Sequence, residues 1–155
     1  MHTIPTPPQA LLASGSAPIL LEAKWLAWYD GSALPNPGKI GLGAIVQSPS
    51  GQRFERTKLA RQEGCNNEAE LYALCEALDL AYAAGARKLL VTGDSDFVVQ
   101  HLRGKASTKI ERLLVLLQKA ATMMADFENI ELVWVPRHRN EAANLLARSA
   151  LGLAA

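Results

Sequence analysis

A chain of 155 residues is long enough for one domain with one sizeable core. Its apolar fraction of 49% and charged fraction of 20% are those of a globular protein, and a formal charge of +1 excludes a global basic signature, so any nucleic-acid contact must come from a local patch. Cys65 and Cys75 form neither a metal spacing nor a disulfide framework, and no apolar run is long enough to cross a membrane. With no Lys or Arg before Lys24, the N-terminus does not read as a signal peptide, and a cytoplasmic protein without membrane or disulfide-linked partners is expected.

Residues 1–21 are rich in Pro, Ser, Ala and Thr without sustained periodicity and read as a disordered extension, leaving 22–155 as the folded domain. Trp25 to Tyr29 read as a strand buried on both faces, ended at Asp30 by Gly31, Ser32, Pro35, Asn36, Pro37 and Gly38. A second strand follows at 41–48, with glycines at its start. A more polar third strand at 52–60 suits a sheet edge. Glu68 to Ala84 form a helix closed by Gly85, with Leu71, Leu74, Cys75, Leu78 and Tyr82 as its apolar stripe. Lys88 to Gly93 are a buried strand. Asp94-Ser95-Asp96 opens a short helix to about Leu102, and a further helix runs from Thr108 or Lys109 to about Ala125. A last strand spans 130–136 and a closing helix runs from Asn140 to about Leu151. The order β-β-β-α-β-α-α-β-α predicts an α/β fold: a mixed sheet, three antiparallel strands then helix-linked ones, with helices on both faces.

Asp30 and Asp94 each close a core strand. A lone Asp there is more often a solvated residue or a helix cap. At about 100° per residue, Glu70 falls in the row of Leu74, Ala77 and Ala81 and faces the sheet, although a first-turn Glu commonly just complements the helix dipole. Ser95 is able to cap the short helix, which frees Asp94. If the three carboxylates meet, their repulsion calls for a divalent cation. All-oxygen ligation favours Mg²⁺ or Mn²⁺, and the natural chemistry is phosphoryl transfer with two metals.

Four pieces, Asp30-Gly-Ser-Ala-Leu-Pro-Asn-Pro-Gly38, Asn66-Asn-Glu-Ala-Glu-Leu71, Thr92-Gly-Asp-Ser95 and Asn140-Glu-Ala-Ala-Asn-Leu-Leu-Ala147, occur in the order in which the ribonuclease HI family carries them. The chain resembles that family from about residue 22 onward. The resemblance implies an RNase H-like fold with a five-stranded mixed sheet, and metal-dependent endonucleolytic cleavage of the RNA strand of RNA–DNA hybrids, leaving 5′-phosphate and 3′-hydroxyl ends. It implies that Asp30 bridges two Mg²⁺ or Mn²⁺ ions. Glu70 and Asp94 complete the site of the ion at the leaving oxygen, with Glu70 near the ribose 2′-hydroxyl. It also implies that Gly31, Ser32, Asn36, Asn66, Asn67 and Ser95 contact the hybrid's backbone and minor groove.

The sequence departs from the family in several places. Asn144 stands where a fourth Asp is usual; it keeps a carbonyl oxygen able to hold a metal or its water, and loses a charge. His138, in Val135-Pro-Arg-His-Arg-Asn140, occupies a loop shorter than the family's His loop, and either assists proton transfer or product release or is a solvent-exposed or phosphate-contacting residue between two arginines. Arg103, Lys105, Lys109 and Arg112 line a short link in place of a basic protrusion. They either contact phosphates or are solvated. Cys65 replaces a phosphate-holding Thr. Trp25, Trp28 and Trp134 read as core or sheet-face residues. The competing functions are a catalytically weak or inactive hybrid-binding module on the same fold and a DNA nuclease of the wider superfamily. A monomer is expected.

Overall fold

The computed structural model describes residues 24–153, so the N-terminal extension expected at 1–21 lies outside the described residues. The elements are β1 (Trp25–Leu34), β2 (Lys39–Gln47), β3 (Arg53–Leu59), α1 (Asn66–Ala84), β4 (Lys88–Gly93), α2 (Asp96–Leu102), α3 (Glu111–Ala125), β5 (Asn129–Trp134), a 3₁₀ turn at Arg137–Arg139 and α4 (Glu141–Ala150). The predicted order and fold class are borne out. One five-stranded mixed sheet runs β3-β2-β1-β4-β5, with β1–β2 and β2–β3 antiparallel and β1–β4 and β4–β5 parallel.

The inner face of the sheet carries the large core. Ala27, Tyr29, Ala33, Leu42, Val46, Leu89, Val91, Ile130 and Leu132 are buried there with Leu71, Leu74 and Leu78 of α1, Val98 and Leu102 of α2, and Leu117 and Met124 of α3. Among the described residues α4 alone covers the outer face, and the alanines of that helix explain how. Ala143 and Ala147 are fully buried, and α4 lies so close that a Cβ on Gly43 would sit 2.4 Å from the Ala143 carbonyl oxygen. The glycines of β2 are there to admit the last helix. Because α4 is short, Leu26 and Trp28 on the outer face are only half-buried, and Trp25, at the margin of the inner core beside Phe54, is half-buried too, not buried as the apolar run alone predicted.

Two other expectations are corrected. β1 does not stop at Asp30. It continues to Leu34 because β2 offers a partner at every step, down to Leu34 opposite Lys39. The parallel neighbour is what ends: β1–β4 pairing stops at Trp28 opposite Thr92. The sheet therefore forks beside Asp30. Tyr82 leaves the apolar stripe of α1 and is exposed; its ring meets Phe127 edge-on at 5.5 Å and takes the Arg87 guanidinium at 3.6 Å from its centroid. Trp134, read as a core or sheet-face residue, is half-exposed at the end of β5.

Candidate metal and nucleic-acid site

Three routes deliver the acids. Asp30 emerges from β1 where β4 peels away. Asp94 is the first residue past β4, released from capping because Ser95 takes that task and its Oγ accepts from the Val98 N–H at 3.3 Å. Glu70 comes from the first turn of α1. The start of that helix is fixed by Glu68, whose Oε1 accepts from the Cys65 N–H at 3.0 Å and pairs with Arg112 Nε at 3.2 Å. Sequence periodicity put Glu68 on a polar face; it is nearly buried in this double role. Glu70 does turn to the sheet, and Gly31 N–H donates to its Oε1 at 3.2 Å.

That contact brings α1 down onto β1. A Cβ at Gly31 would lie 2.0 Å from the Ala69 carbonyl oxygen, and neither backbone has room to yield. Gly31→Ala is expected to destabilise the protein by about 3 kcal/mol or more, at the upper end of overpacking costs, and to pull Glu70 from its place. Urea unfolding of the purified variant checks this; an unchanged midpoint would show that α1 can slide.

One ligand atom from each of Asp30, Glu70 and Asp94 lies within 4.8 Å of the others. Asp30 is fully buried and Glu70 is 7% exposed. Burial first, and the charge of Asp94 next, push the Asp30 carboxyl up to about 6; the hydrogen bond from Asn144, the Arg137 charge and a bond with Glu70 restrain it. Burial, then the charges of Asp30 and Asp94, hold Glu70 well above the usual carboxylate range. Asp30 Oδ1 is buried with no hydrogen-bond partner among the described residues. A crowded, desolvated set of carboxylate oxygens with an orphaned acceptor fits a divalent cation.

The last helix frames the acids. Asn144 Nδ2 donates to Asp30 Oδ2 at 2.9 Å, so the fourth position of the expected set does reach the cluster. Asn140, 2% exposed, donates from Nδ2 to both the Tyr29 carbonyl oxygen at 2.8 Å and Asp94 Oδ2 at 3.1 Å. The Trp134 indole donates to the Asp94 carbonyl oxygen at 3.2 Å. Asn140, Trp134 and Arg137 were missed as contributors from sequence. Asn140 was visible only as a motif residue opening a helix, and Arg137 only as a neighbour of His138. His138 sits exposed in the 3₁₀ turn with no hydrogen-bond partner among the described residues; the charge that reaches Asp30 from this turn is that of Arg137.

The expected substrate-binding residues gather on the same side. Asn36 Oδ1 accepts from the Asn66 N–H and Asn66 Oδ1 accepts from the Ala33 N–H, each at 3.0 Å, which ties the β1–β2 turn to the start of α1. Gly31 is buried, and Ser32, Asn67 and Ser95 are half-buried. Of the four basic residues in the middle link, Arg103 is not free for phosphate, since its Nη2 donates to the Leu132 carbonyl oxygen at 2.8 Å; Arg112 is paired with Glu68, while Lys105 and Lys109 are exposed. Cys75 is buried as predicted, and both cysteines are free. Among the described residues no helix is long and apolar enough to cross a membrane.

Residues 28–150 match the family model described as reverse transcriptase-like. The chain belongs to that family. Within it, this reverse transcriptase-like chain is a homologue of ribonuclease HI. It is 31% identical over 125 residues to ribonuclease HI of Halobacterium salinarum, covering 81% of this chain and 63% of that one. It is 36% identical over 127 residues to a bifunctional protein of Mycobacterium tuberculosis, covering 81% of this chain but 35% of the relative. The chain thus spans about a third of the length of its mycobacterial relatives. Among solved structures, RNase H1 of Halobacterium salinarum superposes with a TM-score of 0.79 at 31% identity, covering 83% of this chain and 98% of that one. The N-terminal RNase H domain of the Mycobacterium tuberculosis protein gives 0.78 at 33%, covering 84% and 95%. An RNase H1 named LC11, solved in complex with an RNA/DNA hybrid, gives 0.75 at 27%, covering 83% and 96%.

Proposed function

We propose that this protein hydrolyses the RNA strand of RNA–DNA hybrids, leaving 5′-phosphate and 3′-hydroxyl ends. The observation that carries the reading is the meeting of Asp30, Glu70 and Asp94 within 4.8 Å in a homologue of ribonuclease HI. These acids, with the Asn144 amide, would hold two Mg²⁺ or Mn²⁺ ions. When bound, such ions activate the attacking water and stabilise the leaving 3′-oxygen. The chain's own residues do the rest. Asp30, within reach of both neighbouring acids, would hold the ions together with them, and Glu70 would approach the ribose 2′-hydroxyl that marks the cleaved strand as RNA. The Asn144 hydrogen bond first, and the Arg137 charge next, restrain the upward shift of the buried Asp30 carboxyl. His138 is exposed on the same turn, between Arg137 and Arg139. Gly31, Ser32, Asn36, Asn66, Asn67 and Ser95 hold sugar and phosphate without reading bases, so cleavage shows little sequence preference. With Arg103 occupied in the sheet, few cations remain for the DNA strand, and the salt dependence of binding is shallow. The unit acts as a monomer in the cytoplasm, with 22–155 as its catalytic domain.

A second reading, a hybrid-binding module with little or no catalysis, is favoured by Asn144, which presents a donor to Asp30 where a fourth acid would add charge. One assay separates them. Labelled RNA–DNA hybrid, duplex RNA and duplex DNA are incubated with Mg²⁺ or Mn²⁺. Cleavage of the hybrid's RNA strand alone is expected; hybrid retention without cleavage in either metal supports the second reading, and cleavage of duplex DNA overturns both.

A further inference from the structure

The start of α4 borders a cavity that the acid cluster does not use. Its volume is about 210 Å³, and Trp28 and Ile45 of the sheet line it together with Arg53, Arg139, Asn140 and Glu141. Trp28 lies two residues before Asp30 on the same face of β1. Asn140 belongs to both places, since its Nδ2 donates to the Tyr29 carbonyl oxygen at 2.8 Å and to Asp94 Oδ2 at 3.1 Å.

The lining favours an anion for three reasons. Arg139 is exposed and forms no ion pair among the described residues. Arg53 is exposed too; its Nε donates to Glu55 Oε2 at 2.9 Å, which leaves both Nη groups without a partner among the described residues. Asn140 is the N-cap of α4, but its side chain makes no capping bond, so the first N–H groups of the helix are left uncapped at its positive end. One carboxylate, Glu141, stands against two guanidiniums. Guanidiniums and a helix N-terminus are the donors that phosphate takes.

The remaining acceptor narrows the ligand further. Asn140 is 2% exposed, and its Oδ1 is buried with no hydrogen-bond partner among the described residues. An unpaired acceptor in the wall of a cationic cavity calls for a ligand that carries a donor beside its charge. A phosphorylated sugar does so, and Trp28 and Ile45 offer an apolar side to its base. The volume falls short of the roughly 300–1,000 Å³ of a cleft that encloses a whole small ligand, so it suits the end of a larger one.

We propose that this cavity binds a nucleotide 5′-phosphate end. The phosphate lies on Arg53, Arg139 and the first N–H groups of α4, and a sugar hydroxyl donates to Asn140 Oδ1. Such an end comes from the RNA released by the reaction read above or from a free mononucleotide. RNA as its source rests on that reading; the affinity for phosphate does not.

Calorimetric titration of the whole chain in EDTA tests it apart from cleavage. A 5′-phosphorylated tetraribonucleotide is expected to bind at least about tenfold more tightly than its 5′-hydroxyl counterpart. Arg53→Ala and Arg139→Ala are each expected to weaken that binding roughly tenfold, the worth of one hydrogen bond to a charged group, without moving the melting temperature. Weaker binding of adenosine 5′-monophosphate than of the tetranucleotide supports the RNA end as the source, and equal binding supports the free mononucleotide. Equal affinity for the phosphorylated and hydroxyl strands overturns the inference. So does phosphate-dependent binding that both variants keep, which puts the phosphate elsewhere, or equally tight binding of an acidic peptide. If these titrations hold and hybrid is not cleaved, the nuclease reading fails and the phosphate site stands.

Discussion

Replacing Asp30 with Asn is expected to lower RNA-strand cleavage by roughly 10³-fold or more, because it removes the central charge of an electrostatic site. The same substitution is expected to make the metal-free protein more stable. Asp30 is fully buried, and its carboxyl is raised from an ordinary 3.8 to about 6, chiefly by burial and then by Asp94. Between those values the folded protein keeps a proton that the unfolded chain gives up. Stability therefore falls as pH rises through that window, and the contribution present below pH 4 is lost above pH 6. At about 1.4 kcal/mol for each tenfold change, the loss is about 3 kcal/mol. Asn carries no such proton. The gap in unfolding free energy between Asp30→Asn and wild type, measured in EDTA, should be close to zero below pH 4 and should open to its full size above pH 6. Saturating Mg²⁺ should close the gap from the wild-type side, since only the wild type gains from a ligand that binds the folded state. A gap that does not vary with pH would mean that Asp30 is not the buried acid described.

Asn144→Asp is expected to act with opposite signs on stability and on metal use. Asn144 Nδ2 donates to Asp30 Oδ2 at 2.9 Å. A carboxylate there sets two acceptors against each other in a cleft that already holds three acids, and the metal-free protein should lose at least about 1 kcal/mol. With a cation present the added charge is attractive. The Mg²⁺ concentration for half-maximal cleavage is expected to fall about tenfold, the factor that about 1.4 kcal/mol of binding supplies. Titrating activity against Mg²⁺ and Mn²⁺ reads this out. An unchanged profile in both metals would mean that Asn144 takes no part in holding the ion, however close it lies to Asp30.

The order of elements was readable because each carries a local signal: strand runs broken by Gly and Pro, and a long helix closed by Gly85. The three acids were readable for a similar reason, since motif spacing and helical phase place each one separately. What local pattern does not record is pairing. Gly31 and Ser32 look like the end of a strand, yet β2 supplies their partners and carries β1 on to Leu34. Glu68 looks solvent-facing by angle, yet α3 brings Arg112 to it. The frame of the site was the least legible part. Asn140 acts through hydrogen bonds to residues 111 and 46 positions away and Trp134 through one to a residue 40 positions away, and no periodicity anticipates bonds of that kind. Arg137 was hidden because the more familiar proton carrier stands next to it.

The clasp that Asn140 makes across the fork, to the Tyr29 carbonyl on one strand and the Asp94 carboxylate on the next, has a consequence in time. The sheet and its inner helices are complete by residue 134, but the amides that secure two of the acids arrive with α4. During synthesis the earlier elements leave the ribosome first. A nascent chain therefore presents Asp30 and Asp94 before the two amides that brace them have been made.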